Sequence, residues 1–381
     1  MEEAALDRRL ALKVIGGAAI LPALDGCTKG PNPGQAAWVN PGATETDPRR
    51  KAFATGILAP NPHNMQPWAL DLSTLNEATL YTDPARLLPQ TDPFNRQIVI
   101  GCGAMLELTR MAAARNGLRM EIEACPEGEP QPNLDARPLA RMRFSPMEAQ
   151  VDPLLAAVAT RRTNRNAYKK TVVTPAIAAA ITAAATRPGV EAQATVDAAH
   201  LPALRALSYQ GAWIEAHTPS AHKESTDRTF FGDAEVAAHP WGISIQGPMI
   251  EAAHAVGLLT QKTAETPGSF AYNSEMSLMK DWANSAQGFV WLKTGTNTRA
   301  DQLNAGAAYV RANLAATALG LAMNPWSQGL QEYATQKPVY DALHAALAPE
   351  GSRLQMFARI GYADPVPPAP RRGLAAQIVK G

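Results

Sequence analysis

Two stretches of this chain repeat each other. Gly103–Met120, GAMLELTRMAAARNGLRM, and Gly306–Met323, GAAYVRANLAATALGLAM, align without a gap at a constant offset of 203 positions. Gly103/Gly306, Ala104/Ala307, Ala112/Ala315, Ala113/Ala316, Gly117/Gly320, Leu118/Leu321 and Met120/Met323 are identical. Alanine-rich helices match by chance more readily than most, so the weight rests on the glycines and on the shared Gly-Leu-x-Met exit from helix to strand. An internal duplication constrains the fold: the chain must build two copies of one α+β unit. The small residues along both helices would let their backbones approach closely, as a helix pair buried at a pseudo-two-fold interface requires.

Size is compatible with this. The chain has 381 residues, 46% of them hydrophobic and 18% charged, and about 100–200 residues make a domain. Its formal net charge is +1, from 35 basic and 34 acidic residues, which argues against a nucleic-acid footprint. Cys27, Cys102 and Cys125 are too few and too scattered for a disulfide framework or a structural zinc site. HExxH, CxxC and GxxxxGK[ST] patterns are absent from the sequence. The histidines at 200, 217, 222, 239, 254 and 344 show no metal-ligand spacing, so no metal site is expected.

Residues 1–27 read as a signal peptide: Arg8 and Arg9 precede a short apolar run interrupted by Lys13, Gly16, Gly17 and Pro22, too broken to span a bilayer. Arg8, Arg9, Leu12 and Lys13 match a twin-arginine pattern, with Ala11 where an aromatic is common, which points to the Tat export machinery. Leu24-Asp25-Gly26-Cys27 resembles a lipoprotein cleavage box, with Asp25 a poor fit, so a lipid anchor at Cys27 joins the expectation. The protein would then be exported, periplasmic or membrane-anchored. An amphipathic N-terminal helix on a cytoplasmic protein is the competing reading.

A Pro/Gly/Thr-rich linker covers 28–48. The first lobe, 49–147, is expected to hold a helix over Arg49–Leu58, a hairpin around PWALDL and ATLYTD, a long helix ending at Asn116-Gly117 and a strand over Leu118–Ala124. Residues Pro126 to about Met147 read as a strand and linker. The second lobe, 148–381, carries a segment at 217–268 without counterpart in the first, expected to act as a lid.

Three segments bear chemistry. APNPHNMQPW (Ala59–Trp68) crowds prolines and amides where neither helix nor regular strand is favoured. RRTNRNAY supplies Arg161, Arg162, Thr163 and Arg165, and PAPRRGL supplies Arg371 and Arg372. Arginine forks bind phosphate bidentately, although two solvated basic patches would read the same way in isolation.

Taken together, these segments resemble the nitroreductase family of FMN-dependent oxidoreductases, whose members carry RRSxRxF-like and APSxxNxQPW-like segments. The likeness runs from about Arg49 to Val379, includes DPARLLPQTDPFNRQ, and is nearest to the two-lobed, Acg-like branch. The resemblance implies an α+β nitroreductase-like fold duplicated in one chain, a fused pseudo-dimer with FMN between the lobes. Each lobe would contribute half of the site. Carried over residue by residue, Arg161, Arg162, Thr163, Arg165, Arg372 and Arg371 would hold the phosphate and ring edge. Pro62, His63, Asn64 and Gln66 would line the flavin, and Asn324 and Trp326 of MNPWSQG would lie beside it. Trp68 reads as the first core residue of a strand, and His63 is balanced between a ring contact and the surface. Thr163 and Asn61 replace the usual serines. The first lobe lacks an arginine segment and the second lacks NxQPW, so one complete site is expected.

The implied chemistry passes a hydride from NAD(P)H through the flavin to a small-molecule acceptor such as a nitroaromatic or quinone, with no catalytic side chain required. An FMN storage or sequestration protein with little turnover is the alternative. NAD(P)H is scarce outside the cytoplasm, which sets the export reading against the reductant. The assembly would be a monomeric pseudo-dimer or a higher oligomer.

Overall fold

The structure, a computed structural model, describes residues 32–380. The signal-peptide segment, with Arg8, Arg9 and Cys27, lies outside the described residues.

The first lobe begins with helix α1 (Pro48–Gly56), capped by the Asp47 carboxylate on the Arg49 amide. Strands β1 (Trp68–Asp71) and β2 (Glu77–Thr82) form the expected hairpin. Helix α2 (Arg96–Arg115) leads through Asn116-Gly117 into β3 (Leu118–Ala124), and β4 (Ala140–Pro146) closes the lobe. The second lobe opens with α3 (Pro175–Ala185) and β5 (Glu191–Thr195). Next come α4 (Leu201–Ala216), α5 (Pro219–Thr226), β6 (Thr229–Phe231), α6 (Gly232–Ala238), β7 (Ile243–Ile245), α7 (Pro248–Ala255), α8 (Gln261–Glu265) and α9 (Phe270–Asn284). The lobe resumes with β8 (Gly288–Thr294), α10 (Arg299–Ala318), β9 (Ala322–Pro325), α11 (Lys337–Leu347) and β10 (Arg353–Gly361), and the chain ends in β11 (Ile378–Lys380).

The duplication extends to topology. The first sheet runs β1-β2-β4-β3 from the edge that β11 covers, and the second runs β5-β8-β10-β9. Replacing β1, β2, β3 and β4 by β5, β8, β9 and β10 converts one order into the other, and every corresponding pair is antiparallel. Each long helix exits through a glycine in the left-handed region, Gly117 at φ 76° and Gly320 at φ 77°. The fold is therefore α+β, one unit occurring twice.

Helices α2 and α10 cross against each other at the centre of the molecule. A Cβ on Gly103 would fall 2.0 Å from the Leu303 carbonyl oxygen, and one on Gly306 would fall 1.9 Å from that of Ile100. The two glycines that align in sequence thus meet at one crossing. The helices are shared between cores: Leu303, Val310 and Leu314 of α10 pack into the first lobe's core, while Ile100 of α2 packs into the second.

Three expected boundaries change. The added segment of the second lobe is everything between β5 and β8, because α4 and α9 pack with Trp291, Phe357 and Phe289 on the outer side of the second sheet. That second cover explains why β8 is buried along its whole length rather than alternately. The 217–268 segment forms an outer part with its own small core of Phe231, Ile250, Ala253, Leu259 and Ala264. The chain's end does not stay in the second lobe: Ile378 pairs in parallel with Leu70 of β1. Nor is 28–48 only a spacer, since Pro33–Trp38 forms a 3₁₀ turn tied to the C-terminal arm by Gln35 Nε2 to Pro368 O at 2.6 Å and Trp38 Nε1 to Ala369 O at 2.8 Å.

Candidate functional site

The stretch Asn61–Trp68 holds one unusual shape. His63, Asn64 and Gln66 have φ of 45°, 53° and 52°, a region that costs a residue with a side chain about 1–3 kcal/mol. Tertiary contacts hold them there. The Gln66 amide donates to Asn61 Oδ1 at 2.7 Å, and Gly101 of α2 lies so close that a Cβ would sit 2.9 Å from that of Asn61. Pro62 opens the turn on this contact. Asn64 Nδ2 donates to Gly242 O (3.0 Å) and Pro370 O (2.8 Å), and its Oδ1 accepts from Arg371. Gln66 Nε2 donates to Pro240 O at 3.0 Å and Oε1 accepts from the Arg372 amide at 2.8 Å. Both side chains are spent within the protein, knotting this stretch to the outer segment and to the C-terminal arm. Trp68 is fully buried and begins β1, as its alternation with Leu70 implies.

The arginines separate into groups. Arg161, Arg162 and Arg371 surround the Trp38 ring, their guanidinium carbons 5.9, 4.8 and 5.2 Å from its centre. Arg161 and Arg371 are buried, at 2% and 3% exposure. Among the described residues no carboxylate acts on any of the three: burial pulls all three pKa values down, Arg161 to about 10, and neighbouring arginines add to the effect on Arg161 and Arg371. Arg371 is a structural cation, donating to Ile57 O, Leu58 O, Ala59 O, Pro370 O and Asn64 Oδ1. Arg161 is poorly satisfied, with bonds of 3.4 Å to Asn313 Oδ1 and 3.3 Å to Leu58 O. Its Nε, the Arg162 Nε, the Tyr309 hydroxyl and the Asn313 Nδ2 are buried without a partner. Buried polar atoms are ordinarily hydrogen-bonded, and these four unmet atoms belong to the arginine loop and to α10.

Thr163 makes an isolated parallel bridge to Met323, which sets the arginine loop beside β9. Arg359, fully buried on β10, pins that loop by donating to Asn164 O and Asn166 O, and stacks on Tyr168 (4.0 Å) and Trp326 (5.2 Å). Asn324 is buried opposite Arg359, and Trp326 is anchored by Nε1 to Ser208 O at 2.5 Å. Arg165 is held down in pKa by burial and by Arg359, again with no carboxylate acting on it. Its charge reaches His63, whose pKa falls to about 3 through burial, Arg228 and Arg165. Arg372 faces away from Trp38, toward Gln66 O, Ala376 O and the charges of Arg86 and Asp83.

Trp38, Tyr309 and Arg359 went unread in the sequence. Trp38 is a lone aromatic in a Pro/Gly spacer, and Arg359 is a lone charge within LQMFARIGY. Both are signals of a kind that patterning alone does not rank.

No family model matches the chain. Among curated proteins, "Putative NAD(P)H nitroreductase Rv3131" of Mycobacterium tuberculosis is 29% identical over 364 residues, spanning 94% of this chain and 96% of that protein. "Putative NAD(P)H nitroreductase acg" of the same organism is 35% identical over 103 residues, 27% of this chain and 29% of that protein. The chain is similar to both of these putative nitroreductases. Solved structures align at low similarity: an FMN-dependent nitroreductase, NfnB, from Mycobacterium smegmatis in complex with NADPH (19% identity, TM-score 0.36, 59% of this chain and 96% of that one). A nitroreductase with bound FMN from Bacteroides fragilis aligns at 14% identity and TM-score 0.31, over 56% of this chain and 90% of that one.

Proposed function

We propose that the chain is an FMN-dependent oxidoreductase of the nitroreductase kind, with one site between its two lobes. The observation that carries this is the group of arginines, Arg161, Arg162 and Arg165, that meet no carboxylate among the described residues, with Arg161 and Arg165 acting on the unpartnered Tyr309 hydroxyl and Arg161 reaching Asn313. A cation group that is buried at Arg161 and part-buried at Arg162 and Arg165, without an anion, is unfavourable, and a phosphate monoester beside polar ring edges would fit it. Arg161 and Arg162 would hold the phosphate, Arg165 the polar ring edge, and the Asn61–Gln66 turn would wall the ring. FMN, when bound, would take a hydride from NAD(P)H and pass it to a small acceptor such as a nitroaromatic or quinone. The protein's part is to fix the ring, exclude water and place positive charge where negative charge develops.

A second reading has its own support. Asn64 and Gln66 are bonded to Gly242 and Pro240 of the outer segment, so the site is latched shut, as storage or sequestration of FMN would require. One experiment separates the two: a visible spectrum of the desalted protein, then NADPH without oxygen. Rapid bleaching of a flavin band supports the oxidoreductase, and a band that stays supports sequestration. Absence of flavin after reconstitution with FMN overturns both. Export guided by Arg8 and Arg9, with anchoring at Cys27, belongs to the same proposal and is tested by cell fractionation.

A further inference from the structure

His63 is not isolated at the wall of the site. Its Nε2 lies 2.9 Å from the Ser225 hydroxyl, and that hydroxyl donates to Glu215 Oε1 at 2.6 Å. The other Glu215 oxygen accepts from Gln331 Nε2 at 2.8 Å, and Gln331 Oε1 accepts from Tyr333 at 2.8 Å. The chain of bonds thus starts in the Asn61–Gln66 turn, passes through Ser225 of α5 and Glu215 of α4, in a region the first lobe has no counterpart for, and continues to Gln331 and Tyr333. Glu215 is 6% exposed and meets no cation. The carboxylates facing it are Glu275 of α9 and Glu224 of α5. Glu224 is itself held by the Gln90 and Thr91 amides and the Thr91 hydroxyl.

We propose that Glu215, Ser225 and His63 form a proton relay through which the outer segment supplies the site with the proton an acceptor takes up alongside a hydride. This rests on the oxidoreductase reading. The balance is simple. A quinone that gains one hydride from the nicotinamide dinucleotide needs one proton to become a hydroquinone, and NAD(P)+ is the other product. When Glu215 is protonated the same two contacts run in the opposite sense, its carboxyl donating to the Ser225 oxygen and the hydroxyl turning to donate to His63 Nε2. From that arrangement His63 gives the proton from Nδ1, the Ser225 proton passes to Nε2, and the Glu215 proton passes to the Ser225 oxygen. Glu215 is left as carboxylate and is reprotonated from solvent.

Three features suit these residues to the task. His63 is kept neutral by burial and by the Arg165 and Arg228 charges facing it, so it conducts rather than traps a proton. Burial and the Glu224 charge raise Glu215, and burial and the Glu215 charge raise Glu275 to about 7, so this carboxyl cluster retains a proton near neutrality. Serine between them can donate and accept with the same oxygen.

The test compares acceptors. Ferricyanide takes electrons without protons, whereas a benzoquinone needs both. In FMN-loaded protein reduced by NADPH, Ser225→Ala and Glu215→Gln are expected to slow quinone reduction about tenfold or more while changing ferricyanide reduction less than about twofold. An independent readout needs no turnover: ¹⁵N NMR of the His63 imidazole in cofactor-free protein. One neutral tautomer is expected in the wild type, and a mixture in Ser225→Ala. Equal slowing with both acceptors, or an unchanged tautomer, overturns the relay. A wild type that binds no flavin or reduces neither acceptor overturns the oxidoreductase reading on which it rests.

Discussion

The sharpest test of the duplicated architecture is a single methyl group at the helix crossing. In Gly306→Ala the new Cβ would lie 1.9 Å from the Ile100 carbonyl oxygen and 2.8 Å from the Ala104 amide nitrogen. Ordinary carbon–oxygen contacts run at about 3.3–3.6 Å, and both obstacles are backbone, which cannot swing aside. The helices must part by more than about 1 Å. Overpacking typically costs about 1–3 kcal/mol. Here it is offset by the better helix propensity of alanine, worth up to about 1 kcal/mol. Because the crossing is shared by both cores, parting it also loosens Leu303, Val310 and Ile100, so the net loss should reach about 2–3 kcal/mol. Thermal midpoints move by about 2–4 °C per kcal/mol in domains of 150–250 residues, so a drop of about 5 °C or more is expected in calorimetry. Gly103→Ala, 2.0 Å from Leu303 O, should behave alike. The double variant should cost less than the sum, since helices already parted accommodate the second methyl. Gly295→Ala, with nothing within 4 Å, serves as the control and should stay within about 0.5 kcal/mol. Midpoints unchanged in both single variants, or strict additivity in the double, would refute the reasoning.

Other outcomes follow from the charges. Arg161→Ala should abolish FMN retention in spectra of desalted protein, yet raise the midpoint of the cofactor-free protein, because it removes repulsion toward Arg162 and Arg371. Arg371→Ala should do the opposite to stability. It leaves the Ile57 carbonyl without its donor, at about 1–3 kcal/mol for an unmet group, and takes one of two donors from Leu58 and Ala59, which keep Arg161 and Asn61 Nδ2; urea midpoints should fall accordingly. Glu275, raised in the folded state to about 7 from 4.5, binds a proton there that the unfolded chain has released. Stability should therefore decline as pH rises from about 4.5 to 7, and denaturation across that window should show a smaller decline in Glu275→Gln.

The legible part of this fold was whatever local pattern dictates. The α2/α10 echo, the β1–β2 hairpin and the Gly-Leu-x-Met exits follow from period, turn residues and identity at a fixed offset. Close packing of α2 on α10 followed too, since only glycine at 103 and 306 permits the observed approach. What patterning could not reach are contacts between segments distant in the chain. Trp38 meets Arg371 across more than three hundred residues, and β11 joins a sheet whose other strands end at Pro146. Nothing local to PGQAAW or QIVK distinguishes them from spacer and tail.

The same limit governs the reading of APNPHNMQPW. Its composition correctly implies a fixed backbone, but composition is silent on what the amides bond. Asn64 and Gln66 bond Pro240, Gly242, Pro370 and the Arg372 amide, so the residues that look most like ligand contacts are those that hold the walls together. Neither is among the residues with unmet buried polar atoms, a group that includes Arg161, Arg162, Tyr309 and Asn313. On the proposed reading, the side chain of the Asn61–Gln66 turn that would face the site is His63, whose Nε2 meets Ser225 and whose pKa answers to Arg228 and Arg165. A segment that latches the site shut through Asn64 and Gln66 is also the one that brings Ser225 to His63. Closure and proton supply would thus be one structural event, and loosening the latch should slow a proton-requiring acceptor even where the site becomes more open.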